Sequence, residues 1–233
     1  MDAWIAYARG PLFRISLLVC VLGLAYRIGV AAYQAVRAWL RAGDRTLPGG
    51  AIRRATLNWV LPVRLVRARP LFSVASLLFH VGILLVPLFS LGHASLWQEA
   101  FAVPWPTLAP AASDALAIVA ALMLAALLLF RLTVRVARDL STPQDVLVLI
   151  ALLALTASGI LASHPAYSPI GARTTLLVHI LLGNLALVLT PTTKIAHCIL
   201  FPFAQLTFEL GWHFPADTGR HVAIALAKEN ERV

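Results

Sequence analysis

Apolar residues run along this chain in five long stretches, separated by connections rich in Arg, Pro or small polar residues. Each stretch is about long enough to cross a hydrocarbon core of roughly 30 Å at about 1.5 Å per residue. The pattern predicts membrane-spanning helices over residues 11–33, 71–91, 113–132, 146–162 and 174–195. Arg27 interrupts the first of them. No internal repeat or low-complexity linker divides the chain. The expected architecture is therefore an all-α integral membrane protein: a single five-helix domain, with residues 196–233 as a tail.

Composition narrows the class. Of 233 residues, 60% are hydrophobic and only 12% charged, whereas a soluble domain carries roughly 25% charged residues. So few charges cannot cover a water-facing surface, which argues against a soluble enzyme, a disordered chain or a small disulfide scaffold. Cys20 and Cys198 are isolated, with no C-x-x-C or C-x-x-C-H. Thiolate zinc, iron–sulfur and covalently attached haem sites are thus excluded. The first apolar run lacks a small-residue cleavage site and resembles a retained helix.

The charges that remain are lopsided: 19 Lys+Arg, 17 of them Arg, against 10 Asp+Glu. Arg37, Arg41, Arg45, Arg53, Arg54, Arg64, Arg67 and Arg69 lie between the first two spans, and Arg135 and Arg138 between the third and fourth. Between the second and third spans the only charged residue is Glu99, and between the fourth and fifth only Arg173. Cytoplasmic loops collect basic residues, so the expected orientation has the N-terminus outside and the C-terminus in the cytoplasm, in the inner (cytoplasmic) membrane. The same Arg excess in a soluble chain would point to nucleic acid. Here no basic stretch is interleaved with stacking aromatics, and none is expected as a partner.

Ionisable side chains within a bilayer are costly and need a reason. His80 and His93 fall on the second span or its end, His179 and His197 on the fifth. Two histidines on each of two helices fit bis-histidine ligation of two b haems, since neutral imidazole supplies an axial nitrogen without adding charge. The opposite directions of the two spans pair His80 with His197 near the cytoplasmic face and His93 with His179 near the outer face. His80 and His93 are 13 residues apart, a rise of about 20 Å, and His179 and His197 are 18 apart, roughly 27 Å. Thirteen residues is also about 3.6 turns, so the second helix must bend, near Pro87, or end so that His93 sits on its tip. His164, also at the outer face, is an alternative to His93.

Gly82, Gly92 and Gly183 near these ligands suit either a macrocycle against a helix or close helix packing. Ser90, Gly92, His93 and Trp97 lie at the right depth for a quinone, although Trp97, Trp105 and Trp59 equally suit an interfacial aromatic belt. Arg27 and Lys194 could hold haem propionates or snorkel to headgroups.

The segment His179-Ile-Leu-Leu-Gly183, continuing to Pro191-Thr-Thr-Lys194-Ile-Ala-His197, resembles the fifth helix of the respiratory nitrate reductase gamma-subunit family of di-haem cytochromes b. Leu78-Phe79-His80-Val81-Gly82, Gly92-His93, and Asp145 running on to Ser158-Gly159 resemble its second and fourth helices. The likeness covers about residues 10–205. Three extra residues separate the second-helix histidines here, and the family's quinol-site lysine has no counterpart between Ala94 and Ala112. The resemblance implies an electron-transfer subunit with two haem b groups and quinone/quinol as substrate. Its partners would be iron–sulfur or molybdenum-enzyme subunits. Related short subunits serve sulfite-reductase-linked and heterodisulfide-reductase-like complexes.

The expected activity is quinol oxidation, with electrons leaving to a cytoplasmic iron–sulfur subunit. A transporter or proton/metal conductor using intramembrane histidines is the alternative; it predicts inverted repeats, which the sequence lacks. Phe201, Phe203, Leu206, Phe208, Leu210 and Trp212, with the Arg-rich first loop, are expected to form the partner-docking surface.

Overall fold

The computed structural model describes residues 1–41, 69–201 and 218–229, together with positions 49–50, 53–54, 57, 66–67 and 203. The expected docking segment, apart from Phe201 and Phe203, lies outside the described residues, as do Trp59, Arg45, Arg64 and His213. Among the described residues there are helices and no strands, and five helices are long and apolar enough to cross a membrane.

A short helix, Asp2–Tyr7, passes through a π-helical turn, Ala8–Leu12, into α1 (Phe13–Arg41). Pro11 sits inside that turn, where its missing N–H and ring displace the ordinary helical hydrogen bond. Within the same turn the Ala8 carbonyl accepts a 3.0 Å bond from Asn184 Nδ2. The next spans are α2 (Pro70–Phe89), α4 (Pro110–Thr133) and α5 (Pro143–Ser163). Each begins on a proline, whose fixed φ suits the first helical turn and whose lost N–H has no intrahelical acceptor there. The start of α5 is also fixed by a capping box between Thr142 and Asp145. The fifth span, α6 (Ala172–Thr192), follows Gly171 at φ +86°, a conformation glycine adopts without a Cβ penalty.

The second span does not continue to His93. It ends at Phe89, Ser90 turns extended, and a separate helix, α3 (Leu91–Phe101), begins. Pro87 lies in the last turn of α2, and the orphan carbonyls there are all taken up by the following loop. The Pro87 carbonyl accepts from Trp97 Nε1 at 2.9 Å, the Leu88 carbonyl from Trp105 Nε1 at 2.7 Å, and the Phe89 carbonyl from the Leu108 N–H at 2.7 Å.

The chain divides into two compact units. The first comprises residues 1–22 and 64–195. In it α2 packs along α4, α4 along α5, and α5 along α6. Phe79, Leu124 and Leu127 form its buried core, with Phe72, Ile83, Met123, Leu149 and Leu152 against them. Gly82 makes the α2–α4 contact close: a Cβ there would come within 2.7 Å of both Ala120 Cβ and the Leu116 carbonyl oxygen. This glycine serves helix packing. Outward-facing Leu122, Leu129, Leu147 and Leu181 are exposed, as lipid-contacting side chains are. The second unit comprises residues 23–63 and 196–233. It holds the C-terminal part of α1 and a short helix, α7 (Thr218–Ala225).

Within the first unit, ion pairs mark the two ends. Asp2–Arg173 (2.8 Å) and Arg9–Glu99 (2.6 Å) lie at the end that carries α3, where His164 Nε2 also comes within 3.4 Å of Asp114 Oδ2. Lys194–Asp145 (2.7 Å) lies at the other.

Candidate functional site

His93 occupies the first turns of α3 and His179 the second turn of α6. Their rings face each other with centres 5.8 Å apart and planes at 70°. Two imidazoles holding one metal from opposite sides place their ring centres roughly 6 Å apart, because each metal–nitrogen bond is about 2.0 Å. The 5.8 Å separation of centres falls near that value, with the rings edge to face.

The surroundings fix how the rings turn. His179 Nδ1–H donates to the Leu155 carbonyl at 3.1 Å, with Ser158 Oγ 3.3 Å from the same nitrogen. In the neutral ring this leaves Nε2 with its lone pair. Ser90 stands at the N-cap of α3 but makes no capping bond to the backbone; its hydroxyl lies 2.7 Å from His93 Nδ1. His80 Nδ1–H donates to the Ser76 carbonyl at 2.6 Å. An oxygen partner on one ring nitrogen is how metal-binding histidines are oriented through the other. Burial, with the adjacent His179 ring adding, pushes His93 down to about 4, so its imidazole is neutral at physiological pH.

Gly159 gives His179 its place. A Cβ at this position would lie 2.9 Å from His179 Cε1 and 3.3 Å from Nδ1. Leu155, Ser158 and Gly159 thus form one face of α5 on which the His179 ring rests, a role that sequence reasoning did not assign. The available signal was the Ser158–Gly159 pair, with Thr156 beside it, in a stretch from Val146 to Ala162 otherwise built of Leu, Ala, Ile and Val.

His164 is committed differently. Its Nδ1 lies 3.1 Å from the Ile160 carbonyl and its Nε2 3.4 Å from Asp114 Oδ2. Its Nδ1 is thus turned to the backbone of its own helix, and its Nε2 lies near a carboxylate. Among the described residues no three His, Cys, Asp or Glu side chains gather as a metal site; His93 and His179 come together as a pair.

The other expected residues are placed as follows. His80 lies in the first unit, half-buried beside Phe79, with ring centres 4.6 Å apart. His197 follows the tight turn Lys194–Ala196, belongs to the second unit and is exposed. Gly92 is exposed with open space around it, and Gly183 has only Leu155 Cδ1 at 4.0 Å. Trp97 is held by the Pro87 carbonyl and packs edge-on against Phe13. Lys194 Nζ bonds Asp145 Oδ2 at 2.7 Å and Thr142 Oγ1 at 3.1 Å. Arg27 lies half-buried on α1 in the second unit.

The fold and this histidine pair define a multi-pass helical membrane protein with two facing imidazoles at one end. No family model and no solved structure matches the chain. A protein of Nitratidesulfovibrio vulgaris (strain Hildenborough) is 33% identical over 210 residues, which cover 84% of this chain and 88% of the relative. The chain belongs to the family of that protein.

Proposed function

We propose that this protein is the di-haem b membrane subunit of a multi-subunit oxidoreductase in the cytoplasmic membrane, passing electrons between the quinone/quinol pool and a partner redox subunit. The observation that carries this reading is the facing of His93 and His179 at 5.8 Å, with Nδ1 of each turned to a protein oxygen. Haem b bound by such a pair supplies a one-electron iron couple. His93 and His179 would hold the outer group; His80 and His197 are the histidines the sequence offers for the inner one. Ser90 and the Leu155 carbonyl hold the rings of His93 and His179 in orientation, and Gly159 leaves room for the His179 ring.

Quinol binds at the outer end, where Ser90, Gly92, His93 and Trp97 lie. Electrons leave at the Arg-rich, cytoplasmic end to an iron–sulfur or molybdenum-enzyme subunit, and protons are released outside. Arg27, and Lys194 beside Asp145, are the cations available to propionates. The terminal reaction belongs to the partner, because this chain carries no iron–sulfur or molybdenum motif of its own. The optical spectrum of the detergent-purified protein, before and after dithionite, tests the reading. Sharp reduced b-type bands at two haems per chain support it; a folded, colourless protein refutes it.

A further inference from the structure

Two consecutive residues of the π-helical turn near the start of the chain reach the two helices that carry His93 and His179. Arg9 Nη2 donates to Glu99 Oε1 at 2.6 Å and to Ser95 Oγ at 3.1 Å, both on α3. Ser95 Oγ passes the tie on, donating to the Gly92 carbonyl at 2.9 Å, and Gly92 is the residue before His93. On the other side, Asn184 Nδ2 of α6 donates at 3.0 Å to the Ala8 carbonyl and at 3.0 Å to the Ile180 carbonyl. Ile180 is the residue after His179. Asp2 and Arg173, 2.8 Å apart, add a tie between the first helix and the start of α6.

Asn184 is placed at a cost. It is 5% exposed in an apolar helix, and Ala8, which it holds, is 1% exposed. Its amide nitrogen donates to both carbonyls, while its Oδ1 is buried with no hydrogen-bond partner among the described residues. Turning the amide over would set that oxygen against two carbonyl oxygens, so the donors fix its orientation. A leucine would fill the space with no buried acceptor left over. The amide therefore suits the holding of Ala8 better than packing alone.

α3 needs such a hold. The extended Ser90 separates it from α2, so its direction is not inherited from the α2 axis. Trp97 ties it to the Pro87 carbonyl, and Phe13, which follows the π-helical turn, packs edge-on against Trp97 with ring centres 5.6 Å apart. Gly92, Ser95 and Glu99, three and four residues apart, share one face of α3, and it is this face that Arg9 engages. Arg9 and Glu99 are partly exposed, and surface pairs of this kind add little to stability. What the pair supplies is direction.

We infer that the turn at Ala8 and Arg9 is a two-sided clamp that sets the approach of His93 to His179, with Arg9 and Asn184 as its positioning residues. Arg9 orients α3, Asn184 seats the turn on α6, and the ring separation of 5.8 Å follows from both. The clamp acts on the imidazole pair itself, whatever the pair binds.

The experiment measures the α3–α6 distance in the full-length protein in detergent. Nitroxide labels are attached at Leu91→Cys and Leu176→Cys, both exposed positions, in a Cys20→Ala/Cys198→Ala background, and the distance distribution is read by dipolar EPR. Arg9→Gln and Asn184→Leu should each broaden the distribution and move its mean by roughly 1–2 Å, the scale of helix shifts between packed states. The charge exchange Arg9→Glu with Glu99→Arg should recover the parent distribution, which a general loss of stability would not do. Lys194→Ala, which loosens the opposite end, should leave the distribution unmoved. Parent-like distributions in both Arg9→Gln and Asn184→Leu overturn the clamp. So does an equal shift in Lys194→Ala, or a shift that the charge exchange does not recover. If Asn184→Leu does not fold, the Arg9 series decides alone. A colourless preparation refutes the functional reading above and leaves this distance measurement standing.

Discussion

The α-carbon of Gly159 approaches the ring of His179 so closely that a methyl group there would sit 2.9 Å from Cε1. An imidazole tip can yield by a few tenths of an ångström, so Gly159→Ala should fold and shift the His179 ring. The branched side chain of Gly159→Val cannot be accommodated without displacing that ring. The expected outcome is an altered outer-haem spectrum or midpoint potential for Ala, and loss of one of the two haems for Val. Pyridine haemochrome stoichiometry checks the second result.

Ligand identity is separable by substitution. His93→Ala or His179→Ala should each remove one haem, and His80→Ala or His197→Ala the other, since one axial nitrogen leaves a five-coordinate or empty site. His164→Ala should keep both, because its Nδ1 is turned to the Ile160 carbonyl and its Nε2 lies near Asp114. Redox titration of each variant, resolving two components or one, decides the assignment.

Gly82 predicts a cost in stability. Its Cβ would meet the Leu116 backbone carbonyl and Ala120 Cβ at 2.7 Å, and backbone cannot swing aside. Gly82→Ala should force α2 and α4 apart and destabilise the protein by about 1–3 kcal/mol, the usual range for overpacking. A lowered thermal midpoint in detergent checks it, and Gly183→Ala, with only Leu155 at 4.0 Å, is the neutral control.

At the opposite end Asp145 Oδ2 accepts from the Thr142 N–H and hydroxyl at 2.8 Å each and from Lys194 at 2.7 Å. Its side chain is only 12% exposed. Asp145→Ala removes a helix cap, worth about 0.5–2 kcal/mol, and the tie between α5 and the end of α6. Thermal denaturation should show the loss, with Lys194→Ala giving a smaller one.

Much of this was legible in the sequence. Hydropathy gave five spans because a lipid-facing helix needs continuous apolar length and little else. The spacing of His80 and His93 led to the expectation that α2 bends near Pro87 or ends with His93 on its tip; instead α2 stops at Phe89 and His93 sits in a separate helix, α3, after the Ser90 turn. Other features were not legible. Ser90 looked like a group for a quinone, yet its hydroxyl lies against His93. Trp97 and Trp105 looked like belt residues, and their indoles close the carbonyl end of α2. Hydropathy cannot foresee such bonds, because they depend on which loop folds back over which helix end. Gly159 escaped for the same reason, since the ring it accommodates comes from a different helix.

The closure of the α2 end by Trp97, Trp105 and Leu108 bears on the order in which the molecule is assembled. These contacts join neighbours in the chain, 10 residues apart for Pro87–Trp97 and 17 for Leu88–Trp105, and short loops close at lower entropic cost and sooner than long ones. His93 and its Ser90 partner are therefore set in place while the chain is still being inserted. His179 arrives only with the last span, resting on a face of α5 that has itself just been completed. The pairing of the two imidazoles is then completed last, once the fifth span has packed. A chain ending at residue 171 should keep Trp97 and Trp105 shielded from an aqueous quencher.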